Sequence, residues 1–402
     1  MKFSKITFVL LIGFILPFTL NAKDKKKSEE EGYKFTTVAE VPVTSMKNQY
    51  KSGTCWSFAT TSFVEAEILR ITGKELDLSE MFSVYWAYVS KAANYVRLHG
   101  LANFSPGGQA HDVIDVIREH GIITEEAYNG LNYNEKKHIH GELDEVLKDF
   151  LKGIIKNKNG YLSPVWPLAF ADLLNAYLGE PPAKFDYEGQ KISPVEFRKR
   201  MKFNPEDYVE ITSYSHHPFY EQIRLEIPDN WSYNDDYYNI PVNDMMEVIN
   251  NALNNGYSVC WDGDVSGEGF SHRKGVAILP VTDKEDLKGT EMSRWQKMTS
   301  EDFADKAYGF KGPFPEKNVS QKDRQKTFDN WTTTDDHLMH LTGIVKDQNG
   351  TIYYRTKNSW GESNKMKGYL NMSESYVRLN TIAIMIHKDA IPENIKSKLG
   401  IK

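Results

Sequence analysis

Apolar residues recur at helical spacing through the first part of the chain and at strand spacing toward its end. From Trp56 to Leu69 the apolar side chains Phe58, Ala59, Phe63, Ala66 and Leu69 fall near the i, i+3/i+4 spacing of a helix with one buried face. Asp77-Leu-Ser-Glu80 opens a second helix, with Ser79 as its cap and the aromatic run Met81 to Val89 as core. A third is predicted from about Ala110 to His120, ended by Gly121 and preceded by the loop Pro106-Gly-Gly-Gln109. His111 and His120 on it read as ordinary exposed or capping histidines. Helical pieces follow near 142–157 and 164–178. Ile240 to Gly256 reads as a capped helix with apolar positions 245, 246, 248, 249 and 253, after which Tyr257 to Trp261 enters a strand. Thr334 to Val345 reads as a strand, followed by a turn at Lys346 to Gly350 and the alternating strand Ile352 to Lys357. Val38 to Val43, with Pro42, is predicted as a short edge strand.

The N-terminus breaks these patterns. Lys2 and Lys5 precede an apolar run from Ile6 to Leu20, and Leu20-Asn21-Ala22 is followed by a dense run of charge. Residues 1–22 therefore read as a secretory signal peptide, which would send the protein to the periplasm or the exterior. An uncleaved N-terminal anchor is the alternative, disfavoured because the apolar run is short and quickly ended. Residues 23–34 read as a charged, disordered linker. The chain has 402 residues, 40% of them apolar, enough to bury a full core. Its 49 Lys and Arg against 55 Asp and Glu leave a net charge of −6, so neither nucleic acid nor an anionic membrane is expected as a partner.

There are two cysteines, too few for an exported protein that holds its fold with disulfides. Cys260 lies in the strand-like run Tyr257 to Trp261 and reads as structural. Cys55 stands at the start of the first helix, just after Gly53. A thiol attacks a carbonyl only as thiolate, and a helix N-terminus offers partial positive charge and free N–H groups to the sulfur and to a developing oxyanion. Taken alone, an unpaired cysteine is more often a small buried hydrophobe. His216-His217, and His138 with His140, invite a metal reading, but no cysteine and no i, i+4 ligand spacing supports it. No metal and no cofactor is expected.

Three separated stretches change the standing of Cys55: Gln49-Tyr-Lys-Ser-Gly-Thr-Cys55-Trp-Ser-Phe-Ala59, Thr334-Asp-Asp-His337-Leu-Met-His340-Leu-Thr-Gly343, and Asn358-Ser-Trp360-Gly361. Together they resemble the active-site signatures of the papain-like cysteine peptidases. That resemblance implies Cys55 as nucleophile, Gln49 as part of the oxyanion hole, His337 as base, Asn358 as the group that orients the imidazole, and Trp360 as the shield over that bond. It further implies that Gly108, with Gly107 beside it, contacts the substrate backbone. His337 and His340 stand three residues apart on one strand, so their side chains point to opposite faces and only one can face the thiol. His337, with Gly343 six positions on, fits the family's register, which leaves His340 as a packed strand histidine. The implied fold is α+β, a papain-like two-lobe fold with a helical lobe, a β-barrel-like lobe and the substrate groove between them.

His337 follows Cys55 at about twice the interval of roughly 130–150 residues typical of papain-type enzymes. A large insertion is therefore expected within about 130–330 of a peptidase domain spanning 35–392, with 393–402 as a C-terminal tail. The stretch ahead of Gln49 is too short for a folded prodomain. With Asp77-Leu-Ser-Glu80, Tyr85-Trp86, Gly107-Gly-Gln109 and Lys367-Gly-Tyr369, this is similar to the bleomycin hydrolase and aminopeptidase C branch. Members of that branch are aminopeptidases, often hexameric, whose C-terminal tail lies in the cleft. The resemblance implies an aminopeptidase acting on peptides through a Cys55 thioester, and a homo-hexamer by family likeness alone. An endopeptidase with an open cleft and a catalytically idle papain-fold surface binding protein are the alternatives. Ser52, where papain has cysteine, agrees with the branch; the apparent export and the short tail from Pro392 depart from it.

Overall fold

Eleven strands among the residues that the computed structural model describes, 32–282 and 299–402, hydrogen-bond into one sheet. The signal-peptide expectation for 1–22 and most of the charged linker lie outside the described residues. At the centre of the sheet run Thr381–His387, Val259–Gly263, His337–Lys346, Ile352–Lys357 and Tyr369–Ser373, each antiparallel to the next. Tyr208–Thr212 pairs with the outer side of Thr381–His387. Thr36–Glu40, in the region expected as an edge strand, pairs with the far end of the His337 strand, Thr36 opposite Lys346.

Side chains alternate across the central strands, and both faces are covered. Cys260, Leu338 and Met385 join the core formed with Trp56, Phe63 and Ile68 of the helix Cys55–Thr72. Trp261, Met339 and Ile384 join a second core with Met245, Val248 and Ile249 of the helix Val242–Asn254. The His337 strand is accordingly buried at every position except Lys346. Each fully buried Leu, Phe or Met contributes roughly 1.5–3 kcal/mol relative to exposure. A one-residue slip would turn each row of side chains to the wrong face, so this two-sided burial also fixes where His337 and His340 point.

The helices Cys55–Thr72, Glu80–Arg97 and Ala110–His120 occur where helical spacing predicts them, and the Ser79 hydroxyl accepts from the Phe82 amide at 3.1 Å. The region 130–330 feeds both layers. Its helices Gly141–Ile155 and Trp166–Leu178 pack on Glu80–Arg97, where Tyr88 donates to Asp144 at 3.0 Å and Tyr85 to Asn175 at 2.8 Å. Its strands Tyr208–Thr212, Tyr237–Asn239 and Val259–Gly263 extend the sheet. The C-terminal segment folds as a helix, Glu393–Leu399, whose Ile395 and Leu399 are buried in the second core. The tail thus packs against the Val242 helix, on the face of the sheet turned away from the Cys55 helix.

One histidine departs from expectation. His111, expected exposed or capping, is buried at the start of its helix, where Nδ1 lies 2.8 Å from Glu210 on the strand Tyr208–Thr212. Nε2 faces the Ser232 hydroxyl at 3.2 Å. The contact ties a helix of one layer to a strand of the other.

Candidate active site

Cys55 is the first residue of its helix, and Thr54 before it makes no side-chain cap. The Ser57 and Phe58 amides both reach back to the Thr54 carbonyl, at 3.0 and 3.3 Å, so the amides of Cys55 and Trp56 are the ones at the open, positive end of the helix. The turn ahead of the cysteine depends on Gly53, which has φ +67° and lies so close to Pro106 that a Cβ would collide with its ring. Trp56 anchors the same corner, its indole N–H donating to the Pro106 carbonyl at 2.9 Å. Across the groove, the Leu338 amide approaches the Cys55 sulfur, so the thiol lies against the first residues of the His337 strand.

His337 is buried, and its Nε2–H donates to Asn358 Oδ1 at 2.8 Å. That bond leaves Nδ1 as the ring nitrogen free to accept a proton. The Trp360 ring lies 4.9 Å from the imidazole at 31°, covering the pair. The Asn358 amide is held in turn: Oδ1 also accepts from the Ser359 amide at 2.7 Å, and Nδ2 donates to His272 Nδ1 at 3.3 Å. His272 Nε2 then donates to the Ser363 hydroxyl at 3.0 Å. Gln49 is fixed from the same turn. Its backbone amide donates to the Ser359 carbonyl at 2.8 Å, and Ser359 Oγ donates to Gln49 Oε1 at 2.5 Å, which leaves the Gln49 NH₂ free. Gly361 N–H donates to the Lys47 carbonyl at 2.9 Å, so residues 47–49 are sewn to 359–361.

Cys55, His337, Asn358, Gln49 and Trp360 are thereby brought to one place. His340 is not among them: it packs on the Cys55 helix, Nδ1 3.0 Å from the Ser62 hydroxyl, beside the Phe63 ring. Cys55 and Cys260 are both free thiols, and Cys260 is buried against Thr60. Sequence reasoning gives no role to Ser359, although it lies within the Asn-Ser-Trp signature. His272 carries no signal at all, because its meeting with Asn358 is a contact made only in the folded chain.

Burial acts on both partners. Burial pushes the Cys55 thiol up to about 12; the Leu338 amide pulls the other way, and the charges of Asp335, Asp262 and Asp229 add to the rise. Burial holds His337 down to about 4, against the upward pull of its bond to Asn358.

Gly107 and Gly108 lie at the edge of the groove, and neither has room for a side chain. A Cβ at Gly108 would meet Trp56 and Asp112, and one at Gly107 would collide with the Asp229 carboxylate. Asp229 belongs to the segment that carries Trp231, whose indole donates to Asp112 at 2.9 Å. A piece of the middle region is thus seated on the Gly-Gly loop.

Among the described residues, the three groups close enough to share a metal ion are His216, His217 and Glu226, far from Cys55 in the chain and partly exposed. Gln325 Nε2 donates to His216 Nδ1 at 3.0 Å, which puts the His216 proton on Nε2, toward Glu226. As arranged, that nitrogen is a donor, and the trio is a hydrogen-bonded cluster at the surface.

A family model described as Peptidase C1-like family matches residues 18–302 and 303–401. Aminopeptidase W of Lactobacillus delbrueckii subsp. lactis is 22% identical over 399 residues, covering 89% of this chain and 84% of that protein. Human bleomycin hydrolase is 20% identical over 400 residues, covering 88% and 82%. The crystal structure of PepW from Lactobacillus rhamnosis superposes with a TM-score of 0.68 at 19% identity, over 91% of this chain and 84% of that one, and shows the same papain-like α+β fold. With the family model spanning nearly the whole chain, the protein belongs to the Peptidase C1-like family.

Proposed function

We propose that this protein is a cysteine aminopeptidase in which Cys55 is the nucleophile, His337 the base, Asn358 the orienting group and Gln49 an oxyanion donor. The observation that carries the assignment is the 2.8 Å bond from His337 Nε2 to Asn358 Oδ1, made beside a thiol at a helix start. As sulfur adds to the scissile carbonyl, the thiol proton passes to His337 Nδ1. The tetrahedral oxyanion is met by the Cys55 N–H and the Gln49 NH₂. His337 then protonates the leaving amine, the thioester forms, and water activated by the same imidazole hydrolyses it. Trp360 keeps water from competing for the His337–Asn358 bond.

Exopeptidase action is supported by the names of the relatives, which include aminopeptidases W, G, E and C. The Asp229 carboxylate over Gly107 points the same way, since it fills space that an internal stretch of peptide would need. Peptides are the proposed substrates. Export is proposed from the charge pattern of residues 1–22 and assembly as a homo-oligomer from family resemblance; cell fractionation and light scattering test these two. For the activity, an N-terminally blocked and an unblocked peptide are digested in parallel by the protein and by Cys55→Ala. The expected result is cleavage of the unblocked peptide alone, abolished in the variant. Equal cleavage of both peptides would make it an endopeptidase, cleavage of neither would leave a binding protein, and unchanged turnover in Cys55→Ala would remove the cysteine from the mechanism.

A further inference from the structure

We propose that the groove is closed beyond Gly108 by a steric barrier, made of segment 228–231 and a bridge from Gln109 to Asp335, and that this barrier, rather than the C-terminal tail, restricts cleavage to the free ends of peptides. The inference rests on the aminopeptidase reading above, with Gly108 as the substrate contact, and names what enforces it.

Segment 228–231 comes from the middle region and is tied down at several points. Asn103 Nδ2 donates to the Pro228 carbonyl at 3.0 Å and to Asp229 Oδ1 at 3.2 Å, and Ser105 Oγ donates to the same oxygen at 3.3 Å. Asn94 Nδ2 donates to the Trp231 carbonyl at 2.7 Å. The Trp231 indole is held by Asp112 Oδ2, which also accepts from the Gln109 amide at 2.8 Å. Asn230, buried between them, donates to the Leu225 and Asn234 carbonyls and closes the turn on itself. Asp229 alone extends outward, its second oxygen over Gly107. Swinging the segment aside would break these bonds together, so a peptide cannot simply displace it.

The bridge crosses the groove itself. Gln109 follows Gly107-Gly108 on the helical side, Asp335 stands two residues before His337 on the sheet side, and Gln109 Nε2 donates to Asp335 Oδ2 at 3.0 Å. Tyr237 holds the same glutamine by its other end, the hydroxyl donating to Oε1 at 3.4 Å. Gln109 and Tyr237 are both buried. The charges of Asp335 and Asp229 are felt at the Cys55 thiol, which puts the barrier beside the nucleophile.

Little of the Gly-Gly loop is left for a substrate. The Gly107 carbonyl accepts from the Lys91 ammonium, the space beside its α-carbon is filled by Asp229, and Gly108 backs onto Trp56 and Asp112. A backbone that meets Gly108 therefore has no path past Gly107: a chain that ends there is accepted, and one that continues is rejected by its bulk. The tail takes no part. Ile395 and Leu399 are buried in the second core with the helix Val242–Asn254, on the far face of the sheet.

The test uses the full-length protein and two fluorogenic amides with the same residue at the cleaved bond, one a free aminoacyl amide and one preceded by two further residues and an acetyl cap. Both pass through the same thiol, so the ratio of their kcat/KM values cancels damage to the chemical step. In Asp229→Ala combined with Gln109→Ala, the preference for the free aminoacyl amide should fall by roughly 10- to 100-fold, the effect that one group in a closed site commands. Asp229→Ala alone should give a smaller fall in the same direction, and it carries the test if the double variant does not fold. Asp229→Asn, equal in size, should keep the wild-type ratio, which separates bulk from charge. Removal of residues 400–402 should keep it too. A strong wild-type preference that stays within twofold in the alanine variants would overturn the barrier and leave the aminopeptidase reading standing. So would a fall in Asp229→Asn equal to that in Asp229→Ala, or a fall on shortening the tail. A wild-type ratio near one would reject that reading and the barrier with it.

Discussion

Gln49→Ala tests how the oxyanion is met. The Gln49 amide has its oxygen committed to Ser359 Oγ at 2.5 Å, which turns the NH₂ toward the groove at the Cys55 helix start. Loss of one preorganised donor of this kind costs about 2.7–4 kcal/mol of transition-state stabilisation, or roughly 100- to 1000-fold in kcat. KM should change little, since the oxyanion exists only after attack. Ser359→Ala leaves the donor in place and removes what orients it. If the amide then populates its two flipped states equally, kcat falls only about twofold; if burial of the unsatisfied Oε1 favours the wrong state, the loss approaches that of Gln49→Ala. The two residues therefore form a cycle. In a Gln49→Ala background, Ser359→Ala should cost almost nothing more, because there is no amide left to orient. Steady-state kinetics on a fluorogenic aminoacyl amide, with circular dichroism to show that each variant folds, measures all four corners. Full additivity of the two losses, or a Gln49→Ala enzyme within threefold of wild-type kcat, would refute the assignment.

His337→Ala should be as damaging as loss of the thiol, whereas His340→Ala should keep most activity and lower stability through the cavity beside Phe63; kcat and urea denaturation of the pair separate the two, and the reverse pattern would move the base to His340. His272→Ala removes the acceptor for Asn358 Nδ2 and should lower kcat by roughly 5- to 30-fold, as expected of one orienting hydrogen bond; unchanged kinetics would show that Ser359 alone holds the amide. His111 predicts a pH dependence of stability. Burial pulls its pKa down, but the charges of Glu210 and Asp112 outweigh that and raise it to about 9. The folded value lies above the unfolded one near ~6.5, so the stabilisation is full below that pH and is lost as pH rises through about 9. His111→Gln should therefore be less stable than wild type by up to about 3 kcal/mol at pH 6. The gap should close by about pH 10, as read by chemical denaturation at both pH values.

The elements nearest the candidate site are the ones that sequence makes most legible. Cys55, Gln49, His337 and Asn358 each sit in a short signature that the resemblance to papain-like peptidases picks out, while spacing supplies the helix at Cys55 and the strands that carry His337 and lead to Asn358. His111 shows where such reading fails. A polar residue at a buried helix position looks like an exposed one until its partner Glu210 is known, and that partner lies in another layer. Thr381–His387 is buried at every position, and a continuous apolar run carries no alternation to mark it as a strand. Asp229 and His272 were hidden for the same reason as Glu210. Each acts on a loop or an amide far away in the chain, and no periodicity records a contact of that kind.

The stitching of residues 47–49 to 359–361 has a consequence for when activity can exist. Gln49 and Ser359 stand 310 positions apart, and the strand Thr36–Glu40 must find residues 343–346 to pair at all. Contacts at such separation close a long loop before they return any stabilisation, and they form late. A chain still being made has its thiol about 280 residues before it has the base and its orienting asparagine. The connectivity thus acts as a timer, keeping the thiol without an oriented base until residues 337 to 361 have been made and have paired.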